Sequence, residues 1–189
     1  MDAPRAGGCI VKPLPPTRSS DDWECWLTLE KGICDASQAS RMATCTSGEG
    51  ETTHIGGCHC GKVRFSCQTP FNSEIILWDC NCSDCRLRRN VHFIIPKEKF
   101  QILQGINNLA IYRWGTGQAI HQFCSTCGIT PFYIPRSNPD GIAITFACLD
   151  SASSTIQNVT LRRFDGRNWE KFILKEGKDI KQLSKKNCK

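Results

Sequence analysis

The sequence predicts a mainly β domain built of short antiparallel strands, and three observations indicate it. From Gly56 onwards, short apolar or β-branched runs recur, with turn residues between them. The segment KVRFSC alternates its apolar residues with Lys62, Arg64 and Ser66, as a half-buried strand does. No twelve-residue segment of this region has strong helical periodicity. Antiparallel sheet is therefore the expected architecture.

The strand candidates follow one another along the chain. After KVRFSC come IILWD, HFII, FQIL, LAIYRW, AIHQF, TPFYI and IAITFACL. Breakers separate them, including Pro70, Pro96 and the turn SNPDG at residues 137–141. The run from Val159 to Phe164 predicts a last strand before a polar, lysine-rich end. We expect the domain to span residues 54–172 and a basic tail to occupy residues 173–189.

The N-terminal residues 1–53 have a different composition. They contain 5 Lys/Arg against 8 Asp/Glu, whereas residues 54–150 contain 9 against 6 and residues 151–189 contain 10 against 4. A proline cluster and the run TCTSGEGETT are typical of linkers. We therefore predict a largely disordered extension, and its acidity argues against a basic nucleic-acid-binding arm there.

The 14 cysteines among 189 residues call for a chemical explanation. The sequence contains no run of 18 apolar residues, so it predicts no membrane span. The first residues also lack the apolar stretch of a secretory signal. We therefore expect a cytoplasmic or nuclear protein without membrane contact. In a reducing compartment, grouped cysteines are better explained as metal ligands or reactive thiols than as disulfides.

Seven of the cysteines form three groups with metal-ligand spacing. They are a CxC at Cys58 and Cys60, a CxCxxC group and a CxxC followed by glycine, the last two comprising Cys80, Cys82, Cys85, Cys124 and Cys127. Zinc needs sulfurs that converge from sharply turned backbone, and a CxxC-Gly sequence supplies such a turn. A CxC segment would supply two ligands from one side of a strand. The sequence predicts at least one zinc ion.

Seven thiolates divide most simply into four and three, although spacing alone does not say which groups pair. We favour the CxC with the CxxC, because two complete pairs from distant segments would hold the ends of the domain together. Cys80, Cys82 and Cys85 then form a local triad. Four cysteines close the coordination sphere of zinc, whereas three leave a position for water or substrate.

Several other candidate residues are better explained by packing. Cys67 and Cys148 lie in apolar runs and are predicted to be small buried hydrophobes. His92 and His121 lie in strand-like runs and are expected to be packed or surface residues rather than catalytic bases. The five remaining cysteines show no ligand spacing: Cys9, Cys25, Cys34, Cys45 and Cys188.

Taken in order, GGCHCGKVRF, CNCSDC and FCSTCGITPFYIPRSNPDG resemble the glutathione-dependent formaldehyde-activating enzyme family. Within that family the segments HFIIP, RSNPDG and DGRNWE are most similar to the centromere protein V-like members. The resemblance implies a β-tent fold. It also implies two zinc ions, one structural on Cys58, Cys60, Cys124 and Cys127 and one held by Cys80, Cys82 and Cys85 with an open position.

The activity that the resemblance implies is carbon–sulfur lyase chemistry on adducts of glutathione, or a similar thiol, with formaldehyde or a related aldehyde. An open zinc can bind a thiolate or polarise a carbonyl group. The triad would then be catalytic through its zinc. Arg136 and Asn138 could meet a glutathione carboxylate; the favoured alternative is that the SNPDG turn serves only to reverse the chain.

A non-catalytic binding module that retains the zinc scaffold is the alternative function. The lysine-rich end would then contact chromatin or microtubules, but it lacks the aromatic residues typical of single-strand binding surfaces. Contact with nucleic acid or microtubules is therefore not expected, and the oligomeric state cannot be read from the sequence.

Overall fold

A computed structural model describes residues 50–151 and 156–185. Most of the predicted N-terminal extension, residues 1–53, therefore lies outside the described residues. Its last three residues belong to the first strand, which begins at Glu51. In the part of the chain that the structure describes, no helix is long and apolar enough to cross a membrane.

The described residues form ten strands, and this confirms the predicted mainly β class. They are β1 (Glu51–Gly57), β2 (Arg64–Pro70), β3 (Ile75–Cys80), β4 (Val91–Pro96), β5 (Phe100–Gln104), β6 (Leu109–Tyr112), β7 (Ile120–Cys124), β8 (Phe132–Ile134), β9 (Gly141–Thr145) and β10 (Val159–Phe164). A three-stranded sheet has the order β1-β2-β5, and a seven-stranded sheet has the order β10-β3-β4-β9-β8-β7-β6.

One strand pair departs from the expected antiparallel pattern. β10 runs parallel to β3, with Val159 opposite Ile75 and Phe164 opposite Cys80. Parallel pairing depends on a crossover connection, and the alternation within a strand does not encode it. As a consequence, the turn that follows Phe164 lies beside the first cysteine of the CxCxxC group.

In the described part of the chain, two α-helices accompany the sheets, α1 (Ser83–Arg88) and α2 (Trp169–Gln182). α2 corrects the prediction of a polar tail from residue 173. Its apolar residues Trp169, Phe172, Ile173 and Ile180 pack with the sheet, and Ile180 is buried. The interspersed lysines hid this helical stripe, which has the spacing of one helix face.

The large sheet divides its side chains between two faces, as β4 shows. Phe93 and Ile95 join the main core against the small sheet. Ile94 belongs to a second cluster that includes Ile180 of α2. Because successive strand residues point to opposite faces, residues of even number in β4 share the α2 side. His92 therefore lies on that second face.

Candidate functional site

Four cysteines from two distant turns meet at one point. Cys58 and Cys60 lie in the turn between β1 and β2, while Cys124 ends β7 and Cys127 lies in the turn after it. Their sulfur atoms all lie within 4.8 Å of one another. The Cys60 Sγ is 3.6 Å from the Sγ atoms of both Cys58 and Cys124. This grouping is the pairing that the sequence analysis favours.

Each pair occupies a tight turn that ends at a left-handed glycine. The Cys58 carbonyl accepts a hydrogen bond of 3.1 Å from the N–H of Gly61, which has φ of 77°. The Cys124 carbonyl accepts one of 2.8 Å from the N–H of Gly128, which has φ of 75°. Glycine adopts such φ values without a steric penalty. The expectation that Cys58 and Cys60 share one side of a strand is therefore wrong.

The geometry of this four-cysteine cluster suits a tetrahedral zinc ion. Zn–S bonds of about 2.3 Å place neighbouring sulfurs about 3.8 Å apart. The two sulfur–sulfur distances of 3.6 Å are close to that value. Thiolates are also the soft ligands that zinc accepts readily. The cluster could therefore hold one ion with a closed coordination sphere.

The other three grouped cysteines form a second cluster, the triad. Cys80 is the last residue of β3, Cys82 caps the N-terminus of α1, and Cys85 is buried within that helix. Their sulfur atoms also lie within 4.8 Å of one another. The Cys82 Sγ accepts a hydrogen bond of 3.3 Å from the Cys85 N–H. The triad therefore offers three ligand atoms in one place.

The turn after β10 holds the triad segment in position. Asn81 donates from Nδ2 to the Oδ1 of Asp165 at 3.0 Å, and its own Oδ1 accepts from the N–H of Arg167 at 3.0 Å. Between these two contacts, Gly166 lies directly against the triad. A Cβ atom on Gly166 would be only 2.5 Å from the Cys80 Sγ. Glycine is required here because the backbone approaches the sulfur so closely.

The triad thiols perturb one another's pKa. Hydrogen bonds from the thiols of Cys80 and Cys85 hold the pKa of the Cys82 thiol well below its usual range. Hydrogen bonds with Cys80 and Cys82, together with burial, raise the pKa of Cys85. A metal cation would replace the thiol protons on binding.

The triad lines a pocket of about 210 Å³ on the α2 side of the large sheet. The four-cysteine cluster is not among its lining residues. Aromatic and aliphatic side chains make up much of the wall, together with two histidines, a tyrosine and an arginine: Trp78, Ile94, Trp114, Pro135, Phe164, Trp169 and Ile180, with His92, His121, Tyr133 and Arg136. The two clusters thus differ in their access to a ligand.

A model of the glutathione-dependent formaldehyde-activating enzyme family matches residues 53–163. The matched segment runs from β1 into β10 and includes all seven grouped cysteines. The chain belongs to this family.

The chain is also similar to a crystal structure of a Rhodobacter sphaeroides protein. The two are 33% identical, the match covers 51% of this chain and 88% of that chain, and the TM-score is 0.47. The closer likeness to centromere protein V-like members of the formaldehyde-activating enzyme family remains a prediction.

A histidine–tyrosine pair in the pocket of this family member was not expected from the sequence. The Nε2 of His92 and the hydroxyl oxygen of Tyr133 lie 2.9 Å apart, and both residues are buried. Burial lowers the pKa of His92 to about 4 and raises that of Tyr133 well above its usual value. Both groups are therefore neutral at pH 7. In this state the pair holds no buried charge, and the tyrosine hydroxyl is available as a proton donor.

His121 is the second histidine of the pocket. Its ring stacks on the ring of Tyr133 with centroids 4.8 Å apart, and its Nε2 accepts from the Trp114 Nε1 at 3.3 Å. The Asp84 Oδ2 lies 3.5 Å from its Nδ1. Burial lowers the pKa of His121, and the Asp84 charge opposes that shift. Both histidines are buried, as a packing role requires, but their pocket positions were missed.

The two predicted substrate contacts lie in different environments. Arg136 lines the pocket, with its guanidinium carbon 3.6 Å from the centre of the Trp169 ring. Asn138 is 1% exposed, and its Nδ2 donates to the Ile180 carbonyl at 2.9 Å and to the Ser184 Oγ at 2.8 Å. The structure thus places Asn138 outside the pocket, where it holds α2 against the SNPDG turn.

The cysteines outside the two clusters are placed as follows. Cys67 is 1% exposed within the main core, in agreement with the predicted packing role. Cys148 is partly buried and packs against the same core. Cys9, Cys25, Cys34, Cys45 and Cys188 lie outside the described residues.

Proposed function

We propose that this member of the formaldehyde-activating enzyme family is a zinc-dependent carbon–sulfur lyase. Its substrates would be adducts of glutathione, or a similar thiol, with formaldehyde or a related aldehyde. The observation that carries the proposal is that the triad, with three sulfur ligands, lines a pocket while the four-cysteine cluster does not. A three-ligand site leaves one position for a reactant, whereas a four-ligand site is closed.

The reaction conserves atoms and electrons. In the forward direction, the sulfur of a thiol forms a bond to the aldehyde carbon, the carbonyl π bond breaks, and the thiol proton ends on the carbonyl oxygen. In the lyase direction, the hydroxyl oxygen loses that proton, the carbon–sulfur bond breaks, and the sulfur leaves with its electron pair. The protein must therefore move one proton between sulfur and oxygen.

Cys80, Cys82 and Cys85 would hold the second zinc, which when bound supplies Lewis acidity that lowers a thiol pKa or polarises a carbonyl group. Tyr133 can transfer its hydroxyl proton to the carbonyl oxygen and regain a proton from the thiol, while the His92 Nε2–H donates a hydrogen bond to the tyrosine oxygen. The 2.9 Å separation of the two groups suits this hydrogen bond. Much of the wall around them is apolar, and a low local dielectric strengthens each polar contact.

The four-cysteine cluster would hold the first zinc as a structural ion. It joins the turn after β1 in the small sheet to the end of β7 in the large sheet. Thiolate ligands of this kind persist in a reducing compartment, so a cytoplasmic or nuclear location belongs to the same proposal.

The substitution Cys82→Ser tests the proposal. Serine is a good helix cap, so α1 should form and the fold should remain largely intact. We expect zinc content to fall from two ions towards one, and turnover of the glutathione–formaldehyde adduct to fall at least 100-fold. Cys148→Ser is the matched control, because Cys148 belongs to neither cluster. Zinc-replete wild-type protein that accelerates no adduct reaction, across a panel of thiols and aldehydes, would refute the lyase function.

A binding module with the same cysteines is the alternative, and a metal count with coordination numbers separates the two. Two zinc ions, one with three sulfurs and an exchangeable ligand, support the enzyme. One zinc ion, or two ions each saturated by four sulfurs, supports the module. Cosedimentation with microtubules or filter binding to DNA at physiological salt then tests the module directly, since purely non-specific charge contacts vanish as salt rises.

A further inference from the structure

The pocket beside the triad has a wall that is unusually apolar for a site that would take a charged tripeptide. Trp114, Phe164 and Trp169 present aromatic side chains, and Ile94 and Pro135 add aliphatic surface. Small-molecule sites are generally lined by apolar and aromatic side chains, and their few polar or charged groups decide which ligands they orient. The composition of the wall therefore carries information about the substrate.

Charged groups in the wall are scarce. Among the described residues that line the pocket, Arg136 alone is a lysine, arginine, aspartate or glutamate. Its guanidinium is already engaged, because it stacks on Trp169, donates to the Gln118 Oε1 at 3.0 Å and pairs with Glu170. Glutathione has two carboxylates and an ammonium group at neutral pH. Most of these charges would find no partner in the pocket.

The pocket also contains an unused polar group. Trp78 is 4% exposed, and its Nε1–H makes no hydrogen bond with the described residues. A buried donor of this kind is normally satisfied in a native protein. The pocket wall thus combines apolar side chains with an indole donor that the described residues leave unpaired.

We propose that the adduct processed in this pocket carries a ring-sized apolar group, aromatic by preference, beside its carbon–sulfur bond. The inference rests on the proposed lyase function and narrows its substrate class. Formaldehyde alone would leave the apolar wall in contact with water, whereas a phenyl group would cover it. The apolar group can come from the aldehyde, as in benzaldehyde, or from the thiol, as in benzyl mercaptan.

Binding to the zinc-loaded full chain gives a test that does not depend on turnover. Isothermal titration compares benzyl mercaptan with 2-mercaptoethanol, a small polar thiol with the same sulfur chemistry. We expect benzyl mercaptan to bind about 30-fold more tightly, because burying a phenyl ring removes a large apolar area from water. Equal affinities for the two thiols would overturn the inference.

Steady-state kinetics distinguishes the two sources of the apolar group. The adducts compared are glutathione with formaldehyde, glutathione with benzaldehyde, and benzyl mercaptan with formaldehyde. At least one phenyl-bearing adduct should exceed the glutathione–formaldehyde adduct at least tenfold in kcat/KM. If the glutathione–formaldehyde adduct is processed best, the lyase function stands and the inference falls. If benzyl mercaptan binds preferentially but no adduct reacts, the lyase function falls and the preference of the pocket stands as a binding property.

Variants locate the preference in the pocket. Trp114 is half-buried, so Trp114→Ala should leave the fold intact while lowering the affinity for benzyl mercaptan about tenfold and that for 2-mercaptoethanol far less. Trp114→Phe should restore most of the difference. Leu174→Ala is the control, because Leu174 lies on α2 with 89% of its surface exposed. Should Trp114→Ala fail to fold, Ala119→Arg places a charge in the same lining and should weaken benzyl mercaptan binding. Unchanged selectivity in both folded variants would refute the assignment to this pocket.

Discussion

The contact between Gly166 and the triad allows a quantitative prediction for Gly166→Ala. The added Cβ would lie 2.5 Å from the Cys80 Sγ, 2.7 Å from the Cys82 Cβ and 3.1 Å from the Cys82 nitrogen. Ordinary contact begins at 3.4 Å, so the Cys80 sulfur and the turn must separate by about 0.9 Å, the difference of 3.4 Å and 2.5 Å. Two hydrogen bonds of Asn81 resist that movement.

The expected energy follows from overpacking. Inserting a methyl group into a packed site typically destabilises by about 1–3 kcal/mol. If the displaced sulfur is a zinc ligand, this energy appears as a loss of about 5- to 150-fold in affinity at the triad zinc. The four-cysteine cluster shares no residue with this contact, so the affinity of its zinc should not change.

Competition with a chromophoric chelator measures the two zinc affinities, and urea unfolding measures stability. Gly50→Ala is the matched control, because no atom of the described residues lies within 4 Å of the added Cβ. The reasoning is refuted if Gly166→Ala binds both zinc ions with wild-type affinity and unfolds at the wild-type urea concentration. Equal losses at both zinc sites would also contradict it, because they would indicate a global effect.

Three further predictions concern the pocket and α2. Tyr133→Phe keeps the ring stacked on His121 but removes the hydroxyl, so kcat should fall about 100-fold or more with little change in thermal unfolding; an unchanged kcat rules out proton transfer by Tyr133. Because the unfolded chain protonates His92 near pH 6.5 and the folded chain only near pH 4, lowering the pH from 7 to 4.5 should reduce the free energy of unfolding by about 2–3 kcal/mol. The decrease in the free energy of unfolding should be smaller in His92→Phe, as measured by urea unfolding at the two pH values. An equal decrease in both proteins would contradict the prediction. Asn138→Ala removes hydrogen bonds to the Ile180 carbonyl and the Ser184 hydroxyl and should destabilise the fold by about 1–3 kcal/mol, measured by urea unfolding. An effect on substrate affinity alone would instead support the predicted substrate contact.

The strands were predictable because alternation and turn residues are local signals. KVRFSC, HFII and AIHQF each correspond to a strand of the structure, since burial of one strand face imposes a two-residue period. α2 was not predicted, because Lys171, Lys175 and Lys178 on its exposed side masked the apolar stripe, and Gly177 lowers helix propensity. The parallel contact of β10 was missed because it depends on the crossover rather than on the strand itself.

The three cysteine groups followed from spacing, and their favoured pairing followed from the wish to join distant segments, whereas the pocket was not predicted. Each cysteine group contains its own signal, because neighbouring ligands must converge from a short segment. His92, His121 and Tyr133 come from three different strands, so no local motif joins them. The alternation of side chains in β4 did contain a signal for the pocket, because it places His92 on the same face as Ile94 and opposite to Phe93. A polar residue on an otherwise apolar face is the pattern that could have identified the pocket.

The contact between Cys60 and Cys124 joins positions 64 residues apart in the chain. Closing a loop of that length removes about 4 kcal/mol of conformational entropy from an unfolded chain that is cross-linked there. All three triad cysteines lie inside this loop. A metal ion at the four-cysteine cluster would therefore shorten the search by which the unfolded chain finds the triad geometry. The two clusters would then be coupled during folding even though they share no ligand.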